Sequence, residues 1–207
     1  MLHPATVQPG TLELLKGVQA LPELSAFALA GGTSLALRFG HRISVDLDLF
    51  TDKPFDTTAI FEAILAQFPA TLKLDEARNS LSLICYGVKV DLLAHQYVLL
   101  APITSVDDLR LVSLEDVMAM KLGALSGRGA KKDFWDVAAA LDFSSLAQQL
   151  HYFAAKYPHS DLGYVVRSLT YFEDAEAQED PVDLRGVSWE MVKTRVSAAV
   201  KDLLLGK

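Results

Sequence analysis

Between Ala30 and Phe50 the chain reads A-G-G-T-S-L-A-L-R-F-G-H-R-I-S-V-D-L-D-L-F, and its second half alternates: Ile43, Val45, Leu47 and Leu49 are apolar while Ser44, Asp46 and Asp48 are polar. A period of two belongs to a β-strand with one apolar and one polar face. The spacing therefore predicts a strand over 43–49 whose two carboxylates project from the same face, roughly 6.5 Å apart by strand rise. Like charges that close repel, and a folded domain tolerates them when solvent or a cation lies between them. A hard divalent ion such as Mg²⁺ suits carboxylate oxygens. An exposed edge strand with two solvated aspartates would leave the residues upstream unexplained.

Those residues begin with an apolar run, Ala26 to Ala30, that reads as a buried strand; Gly31-Gly32 ends it, and a helical segment runs from Thr33 to Phe39. Strand, glycine turn and helix start make an anion-binding geometry, in which glycine lets backbone N–H groups approach a phosphate and the helix N-terminus adds partial positive charge. Gly31, Gly32, Thr33 and Ser34, with Ser44 from the following strand, are the candidate phosphate ligands; either hydroxyl of Thr33-Ser34 also suits a helix cap. G-G-T-S alone is a weak signal. Followed by D-x-D on a strand, it describes a site that grips a polyphosphate and a metal together. The chain has no G-x-x-x-x-G-K-[S/T] P-loop, and the regular alternation of D-L-D-L-F does not suit an EF-hand calcium loop.

The remaining pattern is that of an α/β chain. Helical spacing covers 11–21 and 57–68, and short apolar runs at 71–74, 81–86 and 88–93 read as strands, the last two joined as a hairpin at Gly87. Asp91 interrupts the apolar run of the third strand. Asp107 and Asp108 fall in a connection leading to Ser113, which with Asp116 forms an S-x-x-D capping box opening a helix to Leu125. Lys121 lies on the edge of that helix's apolar stripe, where a packed stem aims the ammonium at a phosphate or at a nearby aspartate. A second helix, 130–141, places Lys132, Asp133 and Asp136 along one side, with Lys132 and Asp136 spaced for an ordinary helix ion pair. Further helices are expected over 146–156, 162–172 and 189–205, separated by Pro158 and by an acidic loop around Pro181.

At 207 residues and 51% hydrophobic the chain suits one domain, or one domain with a helical appendage, and excludes disorder. It has no apolar run long enough to span a membrane, and its first residues, M-L-H-P-A-T, lack the build of a signal peptide, so a cytoplasmic protein is expected. The single cysteine, Cys85, is expected to be a small buried hydrophobe. A net charge of −7 argues against indiscriminate coating of nucleic acid. An RNA substrate would need a local basic patch, for which Arg38, His41 and Arg42 beside the D-x-D strand, and Arg128, Lys131 and Lys132, are the candidates.

The segment G-G-T-S-L-A-L-x-x-G-H-R-x-S-x-D-L-D-L-F resembles the first motif of the AbiEii/AbiGii toxin family of nucleotidyltransferases, within the DNA polymerase β-like superfamily. Ser113 to Leu141, with Lys121 and the K-D-F-x-D segment, resembles that family's helical motif. The resemblance implies an α/β (α+β) polymerase β-like core with a mixed sheet over 1–110 and a helical C-terminal region over 111–207. It implies transfer of a nucleoside monophosphate from an NTP to an acceptor hydroxyl, with Asp46, Asp48 and Asp91 holding two Mg²⁺ ions and Lys121 neutralising the triphosphate. Asp133 follows a lysine as in the family motif and is read as orienting Lys121 or Arg128 near the phosphates; Arg128 and Lys132 complete the nucleotide-binding set. In the family the acceptor can be the 3′ end of a tRNA, and an antitoxin restrains the activity. Two rivals compete: a haloacid-dehalogenase-type phosphatase with Asp46 as nucleophile, which leaves the G-G-T-S turn unexplained, and a non-catalytic nucleotide-binding module.

Overall fold

Asp91 lies beside Asp48 because the strands that carry them are neighbours: β2 (Leu47–Thr51) and β5 (Val88–Ala94) run parallel, with Asp48 opposite Asp91. Around this pair a seven-stranded mixed sheet is built in the order β3-β4-β5-β2-β1-β7-β6, in a computed structural model that describes residues 1–206. The outer strands are β3 (Thr71–Ala77) and β4 (Ser80–Cys85) on one side, and β7 (Leu109–Leu111) and β6 (Thr104–Val106) on the other, with β1 (Ala28–Leu29) between β2 and β7. β4 and β5 are joined through Tyr86 and Gly87, both at positive φ (49° and 82°), the backbone of a two-residue hairpin turn that matches strand twist.

Period two explains which face is covered. Leu47 and Leu49 of β2, Leu81 and Leu83 of β4, and Val90 and Leu92 of β5 are buried in one apolar cluster with Leu14, Leu15 and Val18 of α1 (Thr11–Ala20) and Ile60 and Ile64 of α3 (Thr57–Gln67). The alternate residues Asp48, Phe50, Asp91 and Leu93 face the other way and are half-buried. On that side α2 (Gly31–Phe39), α4 (Leu114–Arg128) and α5 (Lys131–Ala140) pack together. Leu35, Phe39, Val117, Met118 and Ala140 form their shared core with Ala28 and Val112. A third apolar cluster joins α4 and α5 to α6 (Leu146–Lys156), α7 (Leu162–Ser168), α8 (Glu173–Glu176) and α9 (Trp189–Leu204) through Phe134, Trp135, Leu150, Val165, Ala175 and Val196.

The structure corrects several sequence expectations. The strand around the aspartates begins at Leu47, so Asp46 precedes it; Ser44 bridges to Val7 and Arg42 to Asp183, which draws the chain out of the sheet and leaves Val45 48% exposed. The run at 26–30 contributes only the two residues of β1 to the sheet. The connection at Asp107-Asp108 is the turn of a β6–β7 hairpin, both residues at positive φ, a conformation that aspartate tolerates better than most. α4 continues past Leu125 to Arg128 and stops at Gly129 in the left-handed conformation, as a glycine C-cap requires. The loop after Pro181 does more than separate helices: Ile43 N–H donates to Val182 O and Leu184 N–H to His41 O.

Asp116 exceeds its predicted role. Its backbone N–H donates to the Ser113 hydroxyl and its carboxylate accepts from that hydroxyl, and the same carboxylate takes the Leu100 and Ala101 N–H groups and the Lys156 ammonium at 2.6 Å, fully buried. Burial pushes Asp116 up, but Lys156, Ser113 and Leu100 outweigh it and hold it below the ordinary carboxylate range. Asp116→Ala should strand Lys156 as a buried charge and cost about 3–5 kcal/mol, read as a lowered urea midpoint at neutral pH. In the wild type this contribution is present above the unfolded aspartate pKa and lost as pH falls through the depressed folded one.

Candidate active site

The alternation of β2 and β5 places Asp48 and Asp91 on the wall of a cavity of about 430 Å³ that is also lined by Gly31, Gly32, Ser44, Asp46, Lys121, Arg128 and Lys132. Asp91 accepts from the Ser82 hydroxyl and the Lys89 ammonium, both at 2.6 Å, and the Asp46 carboxylate lies 3.7 Å from Lys132. Burial pushes Asp48 above the ordinary aspartate range, and the Asp91 and Asp46 carboxylates push it further against the pull of Lys121. The wall is therefore short of positive charge at its centre.

Gly31 and Gly32 are fixed by these side chains. Gly31 has φ +63°, and a Cβ there would stand 1.9 Å from Asp48 Oδ2; a Cβ on Gly32 would stand 2.4 Å from Arg42 Nη2. No L-residue fits at Gly31 without displacing the carboxylate. The neighbouring hydroxyls turn inward, contrary to a direct phosphate role: Thr33 and Ser34 are buried and do not line the cavity. Thr33 donates to the Asp46 carbonyl and sits 2.8 Å from the Ser44 hydroxyl, while Ser34 accepts from Arg38. They brace the turn from behind.

Opposite the carboxylates, Lys121 is only 5% exposed, and its ammonium lies 2.8 Å from both Asp133 Oδ1 and Asp136 Oδ2. Burial pulls its pKa down, but the two aspartates raise it beyond the ordinary value, so the ammonium stays charged. Asp133 also receives a two-pronged contact from Arg128, Nε at 2.8 Å and Nη2 at 3.0 Å. Asp133 thus holds both cations that the sequence left as alternatives.

Asp136 does not form the expected helix pair with Lys132. It is fully buried and accepts from Arg42 Nε at 2.7 Å and Nη2 at 2.9 Å, with His41 Nε2 at 2.7 Å. Burial raises its pKa, but Arg42 and Lys121 hold it well below the ordinary range. The supposed basic rim for RNA is consequently not a rim. His41 and Arg42 are buried, Arg38 spends its guanidinium on Ser34 and the Val112 carbonyl, and Lys131 is buried beside Asp180 at 3.0 Å. Of those candidates, Arg128 and Lys132 keep about half of their side-chain surface exposed.

The chain matches the family model described as nucleotidyl transferase AbiEii toxin, type IV TA system, over residues 13–81 and 88–202. It belongs to the AbiEii nucleotidyltransferase toxin family. It is 33% identical to an uncharacterized protein of Aquifex aeolicus over 201 residues, spanning 93% of this chain and 95% of that one. Among solved structures it resembles MenT4, a nucleotidyltransferase toxin of Mycobacterium tuberculosis, with TM-score 0.56 and 16% identity over 91% of this chain and 80% of that one. It also resembles JHP933 of Helicobacter pylori, with TM-score 0.51 and 12% identity over 97% and 96%. These two likenesses carry the fold alone. Family membership makes this a nucleotidyltransferase and sets aside both the phosphatase and the non-catalytic readings. No helix among the described residues is long and apolar enough to cross a membrane.

What the AbiEii motifs do not disclose in sequence is the hub at Asp136, since the helix spacing to Lys132 offered a simpler partner. Lys89 on Asp91 had a visible signal, a charge two residues away on the same strand face. Phe50, His95, Met120 and Tyr157, which line the far end of the cavity, had none. Asp136→Asn should leave Arg42 and Lys121 under-neutralised in the interior and destabilise the fold by about 3–5 kcal/mol. Urea unfolding at pH 7 checks this. The deficit should shrink as pH falls through the depressed Asp136 pKa, where the wild type loses the same charge.

Proposed function

We propose that Asp46, Asp48, Asp91 and Lys121 form the catalytic set of a Mg²⁺-dependent transfer of a nucleoside monophosphate from an NTP to an acceptor hydroxyl, with an RNA 3′ end, that of a tRNA, as acceptor. The observation that carries this reading is the register of Asp48 opposite Asp91 on adjacent parallel strands, with Lys121 lining the same cavity. The donor set fits the metal chemically: three carboxylates offer the hard oxygens that Mg²⁺ takes, and burial, with their mutual repulsion added, pushes Asp48 up. Among the described residues they do not converge into a formed ligand cluster, and Lys89 and Lys132 stand against Asp91 and Asp46. Bound there, the metal supplies charge neutralisation on the phosphate oxygens and activation of the acceptor hydroxyl.

The chain's own residues supply the rest. Lys121, charged and held by two aspartates, offers a fixed cation for triphosphate oxygens, which needs no reorganisation during the reaction. Arg128 and Lys132 add charge at the mouth, and the Gly31-Gly32 backbone forms the floor. In this reading Thr33, Ser34 and Asp133 act by positioning the turn and Lys121. A cognate antitoxin would restrain the activity in the cell, as the type IV system named for the family model supports.

The test is incubation with each labelled NTP, Mg²⁺ and total RNA, with label expected in a defined RNA band. Label in the protein band would instead make a protein hydroxyl the acceptor, and no label in either would overturn the reading. Asp48→Asn should abolish transfer yet melt no lower than wild type. Ionised Asp48 is disfavoured by the fold, so a neutral isostere removes a destabilising charge at pH 7. Retained turnover would remove Asp48 from the catalytic set.

A further inference from the structure

The catalytic scheme uses one end of the cavity. The other end is aromatic. One pleat repeat beyond Asp48 and Asp91, roughly 6.5 Å along the strands, Phe50 stands opposite Leu93 in register, and the chain leaving β5 brings in His95. The His95 ring stacks with Phe50, centroids 5.7 Å apart and planes 19° apart, and meets Tyr157 edge-on at 6.2 Å. Met120 of α4 lines the same cavity one residue before Lys121, so one helix gives the cavity both a flexible apolar side chain and a fixed cation.

We propose that this aromatic end is a nucleobase slot, in which the base of the substrate nucleotide stacks between His95 and Met120 while its triphosphate extends toward Lys121 and Arg128. The assignment rests on the nucleotidyltransfer reading and deepens it. A flat, half-buried surface next to a polyanion site suits a neutral planar ring, and aromatic stacking accepts any base because every base has a π-face. Burial, aided by the nearby Lys156 ammonium, holds His95 at a pKa of about 4, so the imidazole is neutral at pH 7 and offers a ring face rather than a second phosphate ligand.

The slot is also held in place. Asp116 takes the N–H groups of Leu100 and Ala101, and Lys156 donates to the Val98 carbonyl at 3.2 Å, so the buried Asp116–Lys156 pair pins the segment that follows His95. Tyr157, the residue after Lys156, brings its hydroxyl to 3.4 Å from His95 Nε2. Asp116 and Lys156 are positioning residues here; neither lines the cavity.

Calorimetric titration of the full-length protein with ATP, CTP, GTP, UTP and inorganic tripolyphosphate tests the assignment. In the wild type at least one NTP should bind more tightly than tripolyphosphate. His95→Ala should weaken that NTP by roughly ten-fold or more, the scale of one lost stacking contact, and leave tripolyphosphate within two-fold. Met120→Trp, which fills the slot from α4, should do the same, and the melting curve of each variant guards against misfolding. The slot is overturned if both variants keep wild-type NTP affinity, or lose NTP and tripolyphosphate equally, or if the wild type binds every NTP no better than tripolyphosphate. Wild-type protein that binds none of the five overturns the nucleotide reading itself.

Discussion

A lysine ammonium inside a protein stays charged only if carboxylates stand against it, and much of this molecule serves that requirement at Lys121. Asp133 and Asp136 come from α5, one turn apart, and both reach the ammonium. Two carboxylates around one lysine leave a surplus of one negative charge, which Arg42 from the α2–β2 connection and Arg128 from the end of α4 together more than offset. Three separate segments are thereby locked to one another by charge. Buried ion networks are poor devices for stability, since well-packed apolar side chains of similar volume usually serve as well or better. What an apolar layer cannot do is keep a cation fixed on the wall of a cavity.

The same economy governs the glycine turn. In sequence, Gly31-Gly32 after a strand and before a helix looks like a phosphate loop, and glycine's bare backbone is the usual reason. In the structure the lack of Cβ atoms is used first by the protein itself, for Asp48 over Gly31 and Arg42 over Gly32. The loop admits the Asp48 carboxylate and the arginine of the Asp136 hub at once, so its composition couples the Asp48 side of the cavity to the Lys121 side. Side chains held by their neighbours in this way keep their geometry without help from the substrate.

This explains what was legible beforehand. Period-two alternation puts Asp48 on the polar face of its strand but wrongly carries Asp46 onto the same strand, and Asp91 is expected beside Asp48 only from the family resemblance. The helices expected over 11–21, 57–68, 130–141 and 146–156 form within a residue or so because each buries one side against a core. The β6–β7 hairpin was missed because three-residue strands carry almost no periodicity. The roles of His41, Arg42 and Asp136 were misjudged for a different reason. Charged residues are exposed by default, and Arg42 and Asp136 are 94 residues apart; local spacing cannot disclose that each neutralises the other. Asp133 is read against Lys121 or Arg128 from the family motif, and it contacts both.

Burial of those cations also changes how an acceptor RNA can be recognised. The chain carries a net charge of −7, and several of its cations, Arg42, Lys121 and Lys131 among them, are turned inward against aspartates. Near the carboxylates the partly exposed cations are Lys89, Arg128 and Lys132. Three such contacts correspond to a salt slope of about −2 for a single strand, shallow for a protein that grips a nucleic-acid backbone at this site. The cations that line the cavity stand against aspartates, so the cavity offers fixed positive groups to a small polyanion while the acidic body of the protein repels a large one. The proposed RNA acceptor therefore meets few exposed cations near the carboxylates, and backbone charge contributes little to its binding there.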